Sequence, residues 1–192
     1  HRVDRRQRQM CIRDRMTASA GFTVGTLKKL KDATNGTVSS MDLMQQANQA
    51  MLLGVVDNND QMADMFDIAQ RLASALGQDT LYGVTSLTTG LGRQSKLMLD
   101  NVGILVDVKK ANERYAEAND LVVSKLTDAQ RKQAFVNEGL RQGQILVDAL
   151  GEETLTSADK MNQLSASLLD FKTEIGACLL YTSPSPRDRQ KS

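Results

Sequence analysis

Apolar residues in the stretch 41–53 fall at Leu43, Met44, Ala47, Ala50 and Met51, a spacing of three and four that puts them on one face of a helix. Ser39 is placed to act as its N-cap and Gly54 as its stop. After the polar turn DNND at 57–60, the same face recurs at Met62, Met65, Phe66, Ala69, Leu72, Ala73 and Leu76, and Gly77 closes it. A third helix begins near Asp79 and carries Leu81, Val84, Leu87 and Leu91, although Gly83 and several threonines lower its intrinsic propensity. The stretch 90–107 holds no single period. It predicts a glycine turn, a short helix starting at Ser95, a break at 101–103, an extended apolar segment at 104–106 and a new N-cap at Asp107. The helix that follows runs to about Ala118, with Val108, Ala111, Tyr115 and Ala118 inward. TDAQ at 127–130 is a capping-box pattern opening a helix that reaches about Leu150. Gly139 and Gly143 inside it imply either the close approach of a neighbouring helix or a weak middle.

The last periodic segment differs in kind. Met161, Leu164, Leu168, Phe171 and Ile175 alternate spacings of three and four, an a/d heptad pattern. Two heptads suit a coiled coil and an ordinary amphipathic helix packing on the bundle equally well. The expected fold is therefore all-α: a multi-helix, bundle-like domain over 16–150, followed at 151–177 by the start of a longer amphipathic or coiled-coil helix.

Composition narrows the class. A chain of 192 residues that is 41% hydrophobic and 24% charged has the make-up of one globular domain rather than of a disordered segment. No apolar run approaches the roughly 20 residues of a membrane span. With no Trp, one His and two Cys, the chain is poor in metal ligands, thiol nucleophiles and base-stacking rings.

The distribution of the rare residues matters more than their number. His1, Cys11, Cys178, Pro184 and Pro186 all lie in the outermost segments, and 16–177 contain no proline. Arg5 to Arg15 can be encoded by a strand containing ATGTGTATAAGAGACAG; its reverse complement, CTGTCTCTTATACACAT, reads Cys-Leu-Leu-Tyr-Thr in the second frame, which is the sequence from Cys178 to Thr182. One inverted nucleotide repeat can thus encode both ends, and both resemble translated transposase-type sequencing adapters. Residues 1–15 and 178–192 are accordingly set aside as non-native, and 16–177 are expected to be an internal piece of a longer gene. The six arginines and two aspartates of 1–15 then lose their meaning as a nucleic-acid arm or targeting peptide, and the two cysteines theirs as a disulfide. With three basic residues and one acidic residue removed at 178–192 as well, the net charge of +1 becomes −5 for 16–177. An acidic segment of that kind is not expected to bind nucleic acid.

Chemistry is hard to assemble from what is left. Residues 16–177 hold neither His nor Cys, so no nucleophile, base and orienting group can be put together. Asp60, Asp64 and Asp67 share a helix face opposite the apolar one and read as a solvated surface. GLGRQSK at 90–96 lacks the spacing and Lys-Ser/Thr ending of a phosphate-binding loop. Asn35-Gly36-Thr37 matches a glycosylation acceptor, a pattern too common to carry weight. Met41, Met44, Met51, Met62 and Met65 suit core filling better than a soft partner-binding groove. No catalytic residue, cofactor or metal site is expected.

Four strings, GTVSSMDLMQQANQAMLLG (36–54), IAQRLASALG (68–77), GLGRQSKLMLDNVGILVDVKKANERYA (90–116) and LTDAQRKQAFVNEGL (126–140), resemble the internal helical region of phage tail tape measure proteins. Two departures stand out: Lys96 where a proline is expected, and Leu121 to Val123 in place of a more turn-like connection. The resemblance implies a long helical chain inside the virion tail, assembled in the host cytoplasm, whose length sets tail length. Its implied partners are tail tube and tail assembly proteins, with self-association through helices and no catalytic motif. Within the resembling segment, Arg93, Asp100 and Asn101 are a candidate structural latch, the guanidinium satisfying the carboxylate and helix-end carbonyls across the glycine turn, with a partner-binding site as the alternative. The alternative to the tail function is a helical adaptor that binds a partner helix in a Met-rich groove.

Overall fold

A computed structural model describes residues 24–151 and 155–182, with side chains over 25–151 and 155–175. Residues 1–15 and 183–192, which hold most of the two ends expected to be adapter-derived, lie outside the described residues. Among the described residues the chain is all-α, without strands. The helices are α1 (Val24–Ala33), α2 (Ser40–Leu52), α3 (Asn59–Ala75), α4 (Thr80–Gly92), α5 (Lys96–Asp100), α6 (Val108–Ala118), α7 (Asp128–Leu150) and α8 (Ser157–Thr182), with a 3-10 turn at Val123–Lys125.

Helix starts are set by side chains that satisfy amides lacking an intrahelical partner. The Ser39 hydroxyl accepts from the Asp42 amide, the Asn58 side chain from Asp60 and Gln61, Asp79 from Leu81, Ser95 from Met98, and Asp107 from Lys109 and Lys110. Thr127 and Gln130 form the reciprocal capping box. Gly54 and Gly77, at φ +56° and +67°, end α2 and α3 in the left-handed region that glycine enters most readily.

The low-propensity helix is the central one. α4 packs against α2, α3, α5 and α7, and its buried residues run round most of its circumference: Thr80, Gly83, Val84, Ser86, Leu87, Thr88, Gly90 and Leu91. A Cβ on Gly83 would lie 2.6 Å from the Ala73 Cβ and 2.8 Å from the Ala69 carbonyl oxygen, and one on Gly90 would lie 2.7 Å from Leu99 Cδ2. These glycines weaken α4 as an isolated helix and let its neighbours approach closely. α7 repeats the device, for Leu91 fills the space over Gly139, and a Cβ on Gly143 would come 2.7 Å from Ile68 Cγ2. Of the two implications the sequence leaves open for Gly139 and Gly143, close approach is the one found. Around this centre Leu30, Leu43, Met62, Met65, Phe66, Leu87, Leu99, Ile104 and Phe135 form one fully buried core.

One placement differs from the periodicity, and another decides between the alternatives it leaves open. On α6 the buried residues are Ala111, Asn112 and Ala116, whereas Val108 and Tyr115 are half-buried and Ala118 is exposed. Ala118 is the last residue of its helix, where the chain turns into solvent at 119–125. On α8 the apolar stripe faces outward. Met161, Leu164, Leu168, Phe171 and Ile175 are exposed, and the helix lies on the bundle with the face carrying Asp159, Asn162, Gln163, Ala166 and Asp170. The helix also continues past 177, to Thr182.

Candidate functional site

The 90–107 segment contains the proposed latch residues, and the structure does not join them. Arg93 caps the C-terminus of α4, Asp100 ends α5 and Asn101 follows it; all three side chains are exposed, with neither hydrogen bond nor ion pair among the described residues. The main chain closes the turn instead. The Arg93 amide donates to the Thr89 carbonyl at 2.9 Å and the Ser95 amide to the Gly90 carbonyl at 2.8 Å, with Gln94 at φ +53° between them. Beyond α5 the Ile104 amide returns to the Leu99 carbonyl at 3.0 Å while Gly103 takes φ +78°. These bonds satisfy the helix-end carbonyls that the guanidinium was expected to meet. Leu99, fully buried against Gly90, is the actual fastener. Arg93→Ala is therefore expected to change stability by less than about 0.5 kcal/mol, a melting curve superimposable on the parent. Lys96 occupies the first position of α5, where a proline is equally well accommodated, so a lysine there leaves the turn intact.

A polar cluster that the sequence does not single out lies between α6 and α7. Glu138, 4% exposed, accepts Arg114 Nη1 on both carboxylate oxygens at 2.9 and 2.8 Å, Arg141 Nε and Nη2 at 3.0 and 2.7 Å, and Gln142 Nε2 at 2.9 Å. Arg141's hydrogen bonds, with those of Gln142 and Arg114, outweigh burial and hold the Glu138 carboxyl down from 4.5 to about 2. A general acid or base needs a pKa near the working pH, and this carboxylate is moved the opposite way with its oxygens already engaged. It is a clamp between two helices. Arg141 and Gln142 follow at helical i+3 and i+4 spacing and are legible as partners; Arg114, on a different helix, is not.

A second polar constellation docks α8. Asp170 accepts the Ser40 amide at 2.9 Å, the Ser40 hydroxyl at 3.0 Å and Lys31 Nζ at 2.5 Å, placing a carboxylate at the N-terminus of α2. Asp159 accepts the Ser74 hydroxyl at 3.0 Å while capping its own helix through the Thr156 amide and hydroxyl at 2.8 and 2.7 Å. Asn162 donates to Asp79 Oδ1 at 3.3 Å and Gln163 to the Asn35 carbonyl at 2.6 Å. Burial pushes the Asp170 carboxyl up, but Lys31 and Ser40 more than offset it and leave the group below its ordinary value. Asp159 is held low in the same way, burial being outweighed by Thr156 and Ser74. Docking by these carboxylates is thus complete above their ordinary range and weakens as pH falls through their depressed values. Asp170→Asn is expected to raise amide exchange across 157–175 at neutral pH and to leave α3 and α4 protected; equal protection on α8 would show that Asp170 does not hold it.

The remaining candidates are structural in placement. Met62 and Met65 are fully buried, and Met44 and Met51 pack half-buried against the core, so most of the Met set fills space inside the bundle. Asp60 pairs with Lys29 at 2.6 Å across an exposed surface. Among the described residues no group of three or more His, Cys, Asp or Glu could hold a metal ion, and no helix is long and apolar enough to cross a membrane. Gln70 is fully buried on α3, and neither atom of its amide has a hydrogen-bond partner among the described residues. An unmet buried amide costs about 1–3 kcal/mol, so Gln70→Met, of similar shape, is expected to stabilise the domain. The gain should appear as a melting temperature higher by roughly 2–4 °C per kcal/mol. A lower melting temperature would mean that the amide is satisfied.

Among the described residues this is an all-α protein in which these polar clusters hold helices together. No protein-family model matches the chain, and no solved structure matches it.

Proposed function

We propose that the chain carries a stretch of a phage tail tape measure protein and acts structurally, in setting tail length and in tail assembly, among tube and assembly proteins of the virion tail. The observation that carries this reading is the set of strings at 36–54, 68–77, 90–116 and 126–140, which span most of the bundle. A helix advances about 1.5 Å per residue and so converts residue count into distance, whereas a bundle folds that distance back on itself. In such a ruler 24–150 would form a folded node, and the helix starting at Ser157 a segment of graduated length.

Long-read resequencing of the parent DNA across 16 and 177 tests the reading. An open frame continuing for hundreds of codons with helical periodicity, beside tube and baseplate genes, is the expected result. A frame closing near Ala177, or lying among unrelated genes, would overturn it.

A further inference from the structure

We propose that α8 is a self-pairing surface through which two copies of this chain associate antiparallel, with Met161, Leu164, Leu168 and Phe171 as the seam and Lys160 of each copy facing Glu174 of the other. The inference rests on α8 alone and is independent of the tail reading.

The seam is open. Met161, Leu164, Leu168, Phe171 and Ile175 are 66%, 55%, 51%, 58% and 41% exposed, although the helix that carries them is fixed to the bundle along its other side. Their strict three-four alternation is the narrow stripe of a two-helix seam rather than the wider apolar face of a helix packed into a bundle. Burying these side chains against an identical set would remove at most about 500 Å² per copy, about 1,000 Å² in all, the size of a weak, reversible association. An isolated helix with two heptads is marginal in water. Here the contacts of Asp159, Asn162, Gln163 and Asp170 hold the helix in place beforehand, which reduces the ordering cost of association.

The flanking residues select the partner and its direction. In an antiparallel pair each a position meets a d position, so Met161 lies opposite Phe171 and Leu164 opposite Leu168. That register sets Lys160 against Glu174 twice, by symmetry, and Ser167 against Ser167. On the other edge Ser165 meets Ser165 and Lys172 meets Ala158, so no like charges face each other. A parallel pair would set Lys160 against Ser165 and Ser167 against Lys172, with no opposite charges joined. The Lys160 and Glu174 side chains have no ion-pair partner within the described residues of one copy. Each copy carries both halves of the pair, which is the self-complementarity of a two-fold interface and points to a second copy rather than a foreign helix.

Light scattering on the full 192-residue chain across a dilution series tests the pairing. A dimer that dissociates on dilution is expected. Leu168→Glu should give a monomer of unchanged helicity, since the side chain lies outside the core. Lys160→Glu should raise the dimer Kd about tenfold, two attractive pairs having become repulsive, and adding Glu174→Lys should restore it. Direction is read from spin labels at Ser157→Cys, with Cys11 and Cys178 replaced by Ser. Labels about 30 Å apart fit the antiparallel register, and labels within about 15 Å a parallel one. A chain monomeric up to roughly millimolar concentration overturns the proposal. So does a dimer indifferent to Leu168→Glu, a charge swap without rescue, or a short label distance.

Discussion

Gly83→Val is expected to destabilise the domain by about 3 kcal/mol, lowering the melting temperature by roughly 6–12 °C. Two effects compete at this position. Valine recovers a few tenths of a kcal/mol of helix propensity over glycine, since α4 is helical here and φ is not positive. Against that, its Cβ would lie 2.8 Å from the Ala69 carbonyl oxygen and 2.6 Å from the Ala73 Cβ. The first neighbour is backbone of a helix buried against α4 and cannot swing aside, so α3 and α4 must separate and open the core around Leu72 and Val84. Overpacking of this kind outweighs the propensity gain. Ala73→Gly in the same chain should recover part of the loss, because it removes one of the two clashes and leaves the carbonyl. Full rescue by Ala73→Gly, or a Gly83→Val protein as stable as the parent, would show that α3 and α4 are not held at this distance.

That example marks where the sequence stops being legible. Caps can be read from it because their chemistry is complete within four residues: Ser39, Ser95, Asp107 and the Thr127–Gln130 pair each hold the amides their position implies. Gly83 also stands out in the sequence, as a weakness, because the reason for it, Ala69 and Ala73, belongs to another helix. The same holds for α8. Its apolar stripe leaves open whether that face packs on the bundle, and the face that does so is polar, its partners Ser74, Asp79, Asn35 and Ser40 lying 85, 83, 128 and 130 residues away from Asp159, Asn162, Gln163 and Asp170. No periodicity within α8 records that those partners converge on it. The Arg93 latch fails for a related reason. Polar residues beside a glycine turn suggest a side-chain fastener, but Gly90, Gln94 and Gly103 let the main chain close the turn alone and leave Arg93, Asp100 and Asn101 to solvent. What is local in the chain is legible in the chain. What depends on two helices meeting is written only as an unexplained small, polar or glycine residue.

Glu138 extends the argument to pH. Its carboxyl is held at about 2 in the folded chain against an ordinary value of 4.5, so the folded state binds its proton later than the unfolded state on acidification. The sign follows from linkage: the stabilisation is fully present above about pH 4.5 and is lost as pH falls from there through 2. A displacement of that size corresponds to roughly 3–4 kcal/mol at most, and screening at the half-exposed Arg114 and Arg141 reduces it. Glu138→Gln keeps the shape and one acceptor while removing the charge that Arg114 and Arg141 share. The variant should melt lower than the parent at pH 7 and match it at about pH 2, the two curves converging over the interval in which the parent titrates. Asp159 and Asp170 also lose stabilisation on acidification, but they do so in both proteins and cancel in the difference. Arg114 and Arg141 remain about half exposed and can return to water when the carboxylate is gone, so the loss at neutral pH should stay well short of that for a charge left buried alone. Parallel melting curves for Glu138→Gln and parent between pH 2 and 7 would mean that the α6–α7 clamp contributes no charge-dependent stability. A difference that closes on acidification would identify Glu138 as the group joining those two helices.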